Sequence, residues 1–225
     1  HSKDPRYLSI GNFFKTGNLF GLQYIYGDMT NEGGGDPLDY DALMASPTEF
    51  KIVSTDAATG KPVYFDKTDM KRNDYRVVMA SCALPGACKP IEIDGKYYFD
   101  GGVSDAIPIR KAFLDGCDKV VVLASKKRDF VKKPEGMRWF YTLACRKYPN
   151  TIKALNRRHK MYAAQQKYMF RAEEKGKAFI FAPSDPPKMG TYTKDPRIEQ
   201  ELFDLGVSDY LNLKEDFLKF IGREQ

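Results

Sequence analysis

Histidine is almost missing from this 225-residue sequence, which has only His1 and His159. A site built from several histidines, for zinc or for a proton relay, is therefore excluded. Cysteine is sparse too: Cys82, Cys88, Cys117 and Cys145 form no C-x-x-C pair and have no secretory context. Neither a metal centre nor a disulfide framework is expected, and a reduced, cytoplasmic interior fits. No apolar run approaches the roughly 18 residues that cross a bilayer. One of the longest, Val120 to Ala124, suits a buried strand. The opening His1-Ser2-Lys3-Asp4-Pro5-Arg6-Tyr7 shows neither an initiator methionine nor a charged-then-apolar signal pattern, so it reads as the interior of a longer protein.

Acidic residues do not balance the basic ones. Thirty-six Lys and Arg face 30 Asp and Glu, a formal charge of +6. The excess is local, with Arg146, Lys147, Lys153, Arg157, Arg158 and Lys160 in one run. Such a run reads first as the solvated face of a helix. It reads second as a surface for peripheral contact with an anionic membrane, at about 1 kcal/mol per well-placed cation. Nucleic acid is not expected as a partner, because the run lacks glycine-spaced aromatics, zinc-ligand spacing and a helix-turn-helix signature. The 42% hydrophobic content is that of one globular domain with a sizeable core.

Along the chain, residues 1–45 read as a loop and helical entry closed by the turn formers Asn31-Glu32-Gly33-Gly34-Gly35-Asp36-Pro37. A sheet core spans 46–125. Phe50, Ile52 and Val53 pair across Ala58-Thr59-Gly60-Lys61-Pro62 with Val63-Tyr64-Phe65, and Asp74 to Ala83 forms a short helix burying Val77, Val78, Ala80 and Ser81. Pro90 to Ile93 and Tyr97 to Phe99 flank Asp94-Gly95-Lys96, and Asp-Gly between β-prone runs is a strong hairpin signal. A helix from Pro108 to Asp115, ended by Gly116, leads to a buried strand at Lys119 to Ser125. Strand, helix, strand implies an α/β class. Residues 126–225 are mainly helical, with one more strand at Ala178 to Phe181.

The second hairpin ends on Asp100-Gly101-Gly102. Paired glycines let another group approach a carboxylate presented at a strand end, and an α/β sheet places ligands at such ends. The plainer alternative is a turn that Asp100 caps through its own backbone. The surroundings bear on the choice: Ala80-Ser81-Cys82-Ala83-Leu84-Pro85-Gly86, then the hairpin from Ile91 to Gly102, then Ile107-Pro108-Ile109. In this order and spacing they resemble the patatin-like phospholipase family, and Phe50 to Phe65 resembles a bacterial branch of it. Arg158-His159 to Gly176 and Ala178 to Ser184 extend the likeness.

That resemblance implies an α/β sheet flanked by helices and a serine acyl hydrolase acting on phospholipid or another acyl ester. It implies a Ser-Asp dyad with Asp100 as base, Gly101 and Gly102 as the active-site turn, and no cofactor or metal. A dyad needs no histidine, which agrees with the scarcity above; His159, among Arg157, Arg158 and Lys160, reads as a surface or packing residue. The sequence departs from the family in having no G-x-S-x-G elbow. Gly102-Val103-Ser104-Asp105-Ala106 and Gly206-Val207-Ser208-Asp209-Tyr210 lack the final glycine and the strand-to-helix setting. Glu32-Gly33-Gly34-Gly35 imitates an oxyanion loop without a strand before it. The expectation is a single domain with an incomplete sheet, whose strand-elbow-helix unit and serine lie upstream, and which is inactive alone. The alternatives are a non-catalytic module binding lipid or a partner, and a thiol hydrolase using Cys82 and His159.

Overall fold

The computed structural model describes residues 4–188 and 195–223. The chain opens with α1 (Ile10–Thr16), a π-helical turn (Tyr24–Met29) and α2 (Tyr40–Ala45). Ser9 and Asp39 start the two helices by accepting the amides of Asn12 and Ala42 at 3.1 and 2.9 Å, which satisfies donors that a first turn leaves open. Then follow β1 (Lys51–Asp56), β2 (Pro62–Asp66), α3 (Arg76–Ser81), β3 (Ile91–Ile93) and β4 (Lys96–Asp100). The remainder holds α4 (Ile109–Leu114), β5 (Val120–Leu123), α5 (Arg138–Ala144), α6 (Pro149–Glu174), β6 (Ala178–Phe181) and α7 (Pro196–Phe220).

The fold is mixed α/β and forms two compact units. The first takes residues up to Ile107 together with Lys133–Tyr162, and the second takes Pro108–Lys132 with the residues from Ala163 onward.

In the first unit, both expected hairpins are present and join into one antiparallel sheet of order β2-β1-β4-β3. Asp94 and Gly95 both take positive φ, 49° and 76°, as a two-residue turn matched to strand twist requires. Successive residues of β4 point to opposite faces. Tyr98 packs with Ile52, Phe65, Tyr75, Val77 and Ala80 on the α3 side, its ring edge-on to Phe65 at 5.0 Å. Phe99 goes the other way, onto Ala57, Cys145 and Tyr148, edge-on to Tyr148 at 5.6 Å. Helices therefore cover both faces of β4, and burying each ring contributes about 1.5–3 kcal/mol. The start of α6 is pinned to the β1–β2 turn: Thr151 Oγ1 and Asn150 Nδ2 donate to the carbonyls of Ala57 and Ala58, each at 2.8 Å.

In the second unit, β5 and β6 pair in parallel, and Phe179 and Phe181 of β6 meet Phe217 of α7 at 5.6 and 5.3 Å. Asp195 caps α7 by accepting the Arg197 amide at 3.0 Å.

Three expectations need correction. The strand at Val120 to Ala124 is not buried: Val121 and Leu123 are 42% and 81% exposed, because among the described residues β5 pairs along one edge only and its alternate residues point away from that packing. Helix α3 is shorter than expected, since Asp74 is engaged by the Arg76 guanidinium at 2.7 Å, and it buries Met79 rather than Val78 or Ser81. The strand, helix and strand from Tyr97 to Ser125 do not share one sheet: the Asp100 strand lies in the antiparallel sheet, while β5 belongs to the other. Among the described residues no helix is long and apolar enough to cross a membrane.

Candidate active site

The end of β4 is held from two sides. The Asp100 amide donates to the Ala83 carbonyl at the end of α3 at 2.9 Å, and its carbonyl accepts Thr55 Oγ1 of β1 at 2.8 Å. Thr55 is fully buried and also contacts Ser104 Oγ at 2.7 Å. A 3-10 turn over Gly101–Val103 then folds the chain back, with the amides of Ser104 and Asp105 both bonded to the Gly101 carbonyl. Gly101 is required by space: a Cβ there would stand 2.2 Å from the Val53 carbonyl oxygen, which is backbone and cannot move aside. Directly across the sheet from Asp100 is Ser54, also fully buried, whose hydroxyl has no partner among the described residues.

Asp100 does cap the turn, Oδ1 accepting the Gly102 amide at 2.6 Å. Among the described residues its other carboxyl oxygen has no protein donor. Burial raises the Asp100 pKa above the ordinary carboxylate range, and the Gly102 hydrogen bond and the nearby Arg158 charge partly offset this. A carboxylate that is desolvated, fixed through one oxygen and open at the other is arranged to take a proton.

Arg158 makes the second contact with this turn. From α6 its Nε donates to the Gly102 carbonyl at 2.6 Å, and its Nη1 pairs with Glu135 at 3.1 Å. The sequence reading placed Arg158 on the solvated basic face. Arg146, Lys147, Lys153, Arg157 and Lys160 are exposed there, but Arg158 turns inward. The signal was its spacing, since Thr151, Leu155 and Arg158 fall at i, i+4 and i+7 on the stripe of α6 that carries the buried Thr151 and Leu155.

The other candidates lie outside this arrangement or lack the needed geometry. Ser104 follows the 3-10 turn and is engaged by Thr55; Ser208 lies exposed within α7. Gly33, Gly34 and Gly35 follow the π-helical turn rather than a strand, and the amides of Glu32, Gly34 and Asp36 are spent on Asn73 Oδ1, the Asn31 carbonyl and the Met29 carbonyl. The Cys82 thiol is pushed up by burial and by the Asp100 charge, with the Tyr26 hydroxyl at 3.4 Å acting in the opposite direction. It stays protonated at neutral pH and is a weak nucleophile. His159 is half-buried on α6, its Nδ1 without a partner among the described residues.

Two families match parts of this chain. Residues 148–222 match DUF6363, a domain of unknown function, and residues 11–113 match the family described as patatin-like phospholipase. The chain is 30% identical over 132 residues to the uncharacterized protein YjjU of Escherichia coli K12, an alignment covering 57% of this chain and 35% of the relative. It is 34% identical over 68 residues to the uncharacterized NTE family proteins Rv1063c of Mycobacterium tuberculosis and Mb1092c of Mycobacterium bovis, covering 30% of this chain and 18% of each. The chain thus spans about a third of YjjU and less than a fifth of the mycobacterial proteins. Asp100, its glycine turn and the strands that hold them all fall inside residues 11–113, the segment that matches the patatin-like phospholipase family.

Proposed function

We propose that this chain carries the base of a serine acyl hydrolase of phospholipase A or esterase type, with Asp100 as the base of a Ser-Asp dyad. The observation that supports this most is the Asp100 carboxyl itself, buried, capped through Oδ1 alone and shifted toward a higher pKa. In this reading a serine Oγ attacks the acyl carbonyl carbon while its proton passes to the open oxygen of Asp100. When the tetrahedral intermediate collapses, the protonated Asp100 returns that proton to the departing alkoxide. Asp100 then takes a proton from the water that attacks the acyl-serine ester, and serine is restored when the ester breaks. The serine belongs to a G-x-S-x-G elbow that these 225 residues do not contain.

A fluorophosphonate probe tests the placement of the nucleophile. It is expected to label the intact protein and to leave this chain unlabelled. Stoichiometric labelling of the 225-residue chain would show that one of its own serines is the nucleophile.

One observation favours a second reading, a module that docks on anionic lipid in the cytoplasm. Between Gly136 and Ala172 the sequence has no acidic residue, and Arg146, Lys147, Lys153, Arg157 and Lys160 are exposed. Sedimentation with phosphatidylserine vesicles at two salt concentrations separates the readings. A docking module binds tightly at low salt and loses binding as screening increases, whereas a hydrolase that does not use this basic face shows no binding or binding that salt leaves unchanged.

A further inference from the structure

Five of the six cations between positions 146 and 160 are exposed, and the sixth, Arg158, holds the turn that presents Asp100. Its Nε grips the carbonyl of Gly102, the residue whose amide caps Oδ1 of Asp100, so one residue is clamped from both ends. Glu135 fixes the guanidinium from behind, and the two side chains retain only 20% and 23% of their exposure, so water screens the pair less than it screens a surface ion pair. Arginine suits this task, because its planar fork can hold a carbonyl and a carboxylate at once. The position that a Cβ on Gly102 would occupy lies 3.0 Å from Asp100 Oδ1 and 3.2 Å from Arg158 Nη2, which sets the cation beside the carboxylate without a direct bond to its open oxygen.

We propose that Arg158, braced by Glu135, is a positioning residue for Asp100: it locks the Gly102 turn and supplies the positive charge that offsets the desolvation of the carboxylate. The inference rests on the base role of Asp100. A buried carboxylate drifts toward its protonated form, which cannot accept a proton. The other ionisable groups around Asp100 do not counter this. The Cys82 thiol at the end of α3, the Cys88 thiol in the loop that follows and the Tyr26 hydroxyl are all raised by burial and uncharged at neutral pH. Against that burial stand the Gly102 amide and the charge of the Arg158 guanidinium. It comes from α6, inside the segment that matches a domain of unknown function, so that segment acquires a role in the chemistry of the patatin-like one.

Carboxyl-carbon NMR titration of the 225-residue chain tests this, with the Asp100 signal assigned by its loss in Asp100→Asn. In Arg158→Gln, whose amide can still donate to the Gly102 carbonyl, the Asp100 midpoint is expected to rise. In Arg158→Lys, which keeps the charge, it stays near the wild-type value. In Glu135→Gln, where the guanidinium shares its field with one carboxylate fewer, it falls. Midpoints unmoved in both glutamine variants would overturn the proposal and leave Arg158 a packing tether. Amide spectra report folding, and if Arg158→Gln unfolds, the direction in Glu135→Gln decides. The titration needs no turnover, so it stands apart from the dyad reading: midpoints that move as expected, alongside full ester turnover by Asp100→Asn in the intact protein, would remove the base role and leave the electrostatic coupling.

Discussion

Replacing Gly101 by alanine is expected to destabilise the chain by about 3 kcal/mol or more, at the upper end of what overpacking costs. The added methyl would sit 2.2 Å from the Val53 carbonyl oxygen and 2.6 Å from its carbon, both in the central strand β1. Relief requires β1 and β4 to separate just where Thr55 ties them together through Asp100, so lost stability and a displaced carboxylate arrive together. Gly95→Ala is the control. Nothing lies near its added methyl, but its φ of 76° is left-handed, so about 1–2 kcal/mol is expected and Asp100 stays in place. Gly102→Ala differs from both, because the nearest atoms to its methyl belong to side chains, those of Asp100 and Arg158 at 3.0 and 3.2 Å and of Ala106 at 4.0 Å. It should cost little stability while disturbing the carboxylate. Urea denaturation of the three variants checks the order, and a Gly101→Ala loss no larger than that of Gly95→Ala would contradict the account.

Much of the sheet was legible because its signals are local. Asp94-Gly95 specifies a turn by conformational preference alone, and the β1–β2 hairpin follows from two β-prone runs around Thr59-Gly60. What failed depended on contacts distant in sequence. The run at Val120 to Leu123 reads as buried because its residues are apolar, yet burial depends on how many neighbours a strand acquires, and β5 has one strand partner among the described residues. Asp100 was visible through the motif around it, but its cross-strand neighbour Ser54 and the inward turn of Arg158 were not. Ser54 is one polar residue in an alternating strand, and nothing local marks it as the partner of position 100. Arg158 carried a readable helical spacing that its charged neighbours masked. The separation of the chain into two units, with a boundary inside the continuous helix α6, has no signature in composition.

Asp100→Asn carries the largest expected effect on activity. Asparagine keeps the shape and can still accept the Gly102 amide through its oxygen, so the turn survives. It cannot take up the serine proton, and a positioned base contributes roughly 10² to 10⁴ in rate. Stability should move the other way. A carboxyl whose folded pKa is raised favours folding below its unfolded pKa, and that contribution disappears as pH rises through the folded value. At neutral pH the wild type therefore bears the cost of a buried charge, which the neutral asparagine removes. Asp100→Asn should melt no lower than wild type at pH 7, and any advantage should shrink as the pH falls and the wild-type carboxyl becomes protonated. A residue that served only as a charged structural cap would show the reverse, with stability lost at neutral pH and turnover untouched.

The most direct measurement is hydrolysis of an acyl ester by the intact protein and its Asp100→Asn variant, with thermal melts of both at pH 7. Turnover reduced at least about 10²-fold in a variant that melts no lower is the predicted result. Turnover within a few-fold of wild type would contradict the assignment of Asp100 as the base.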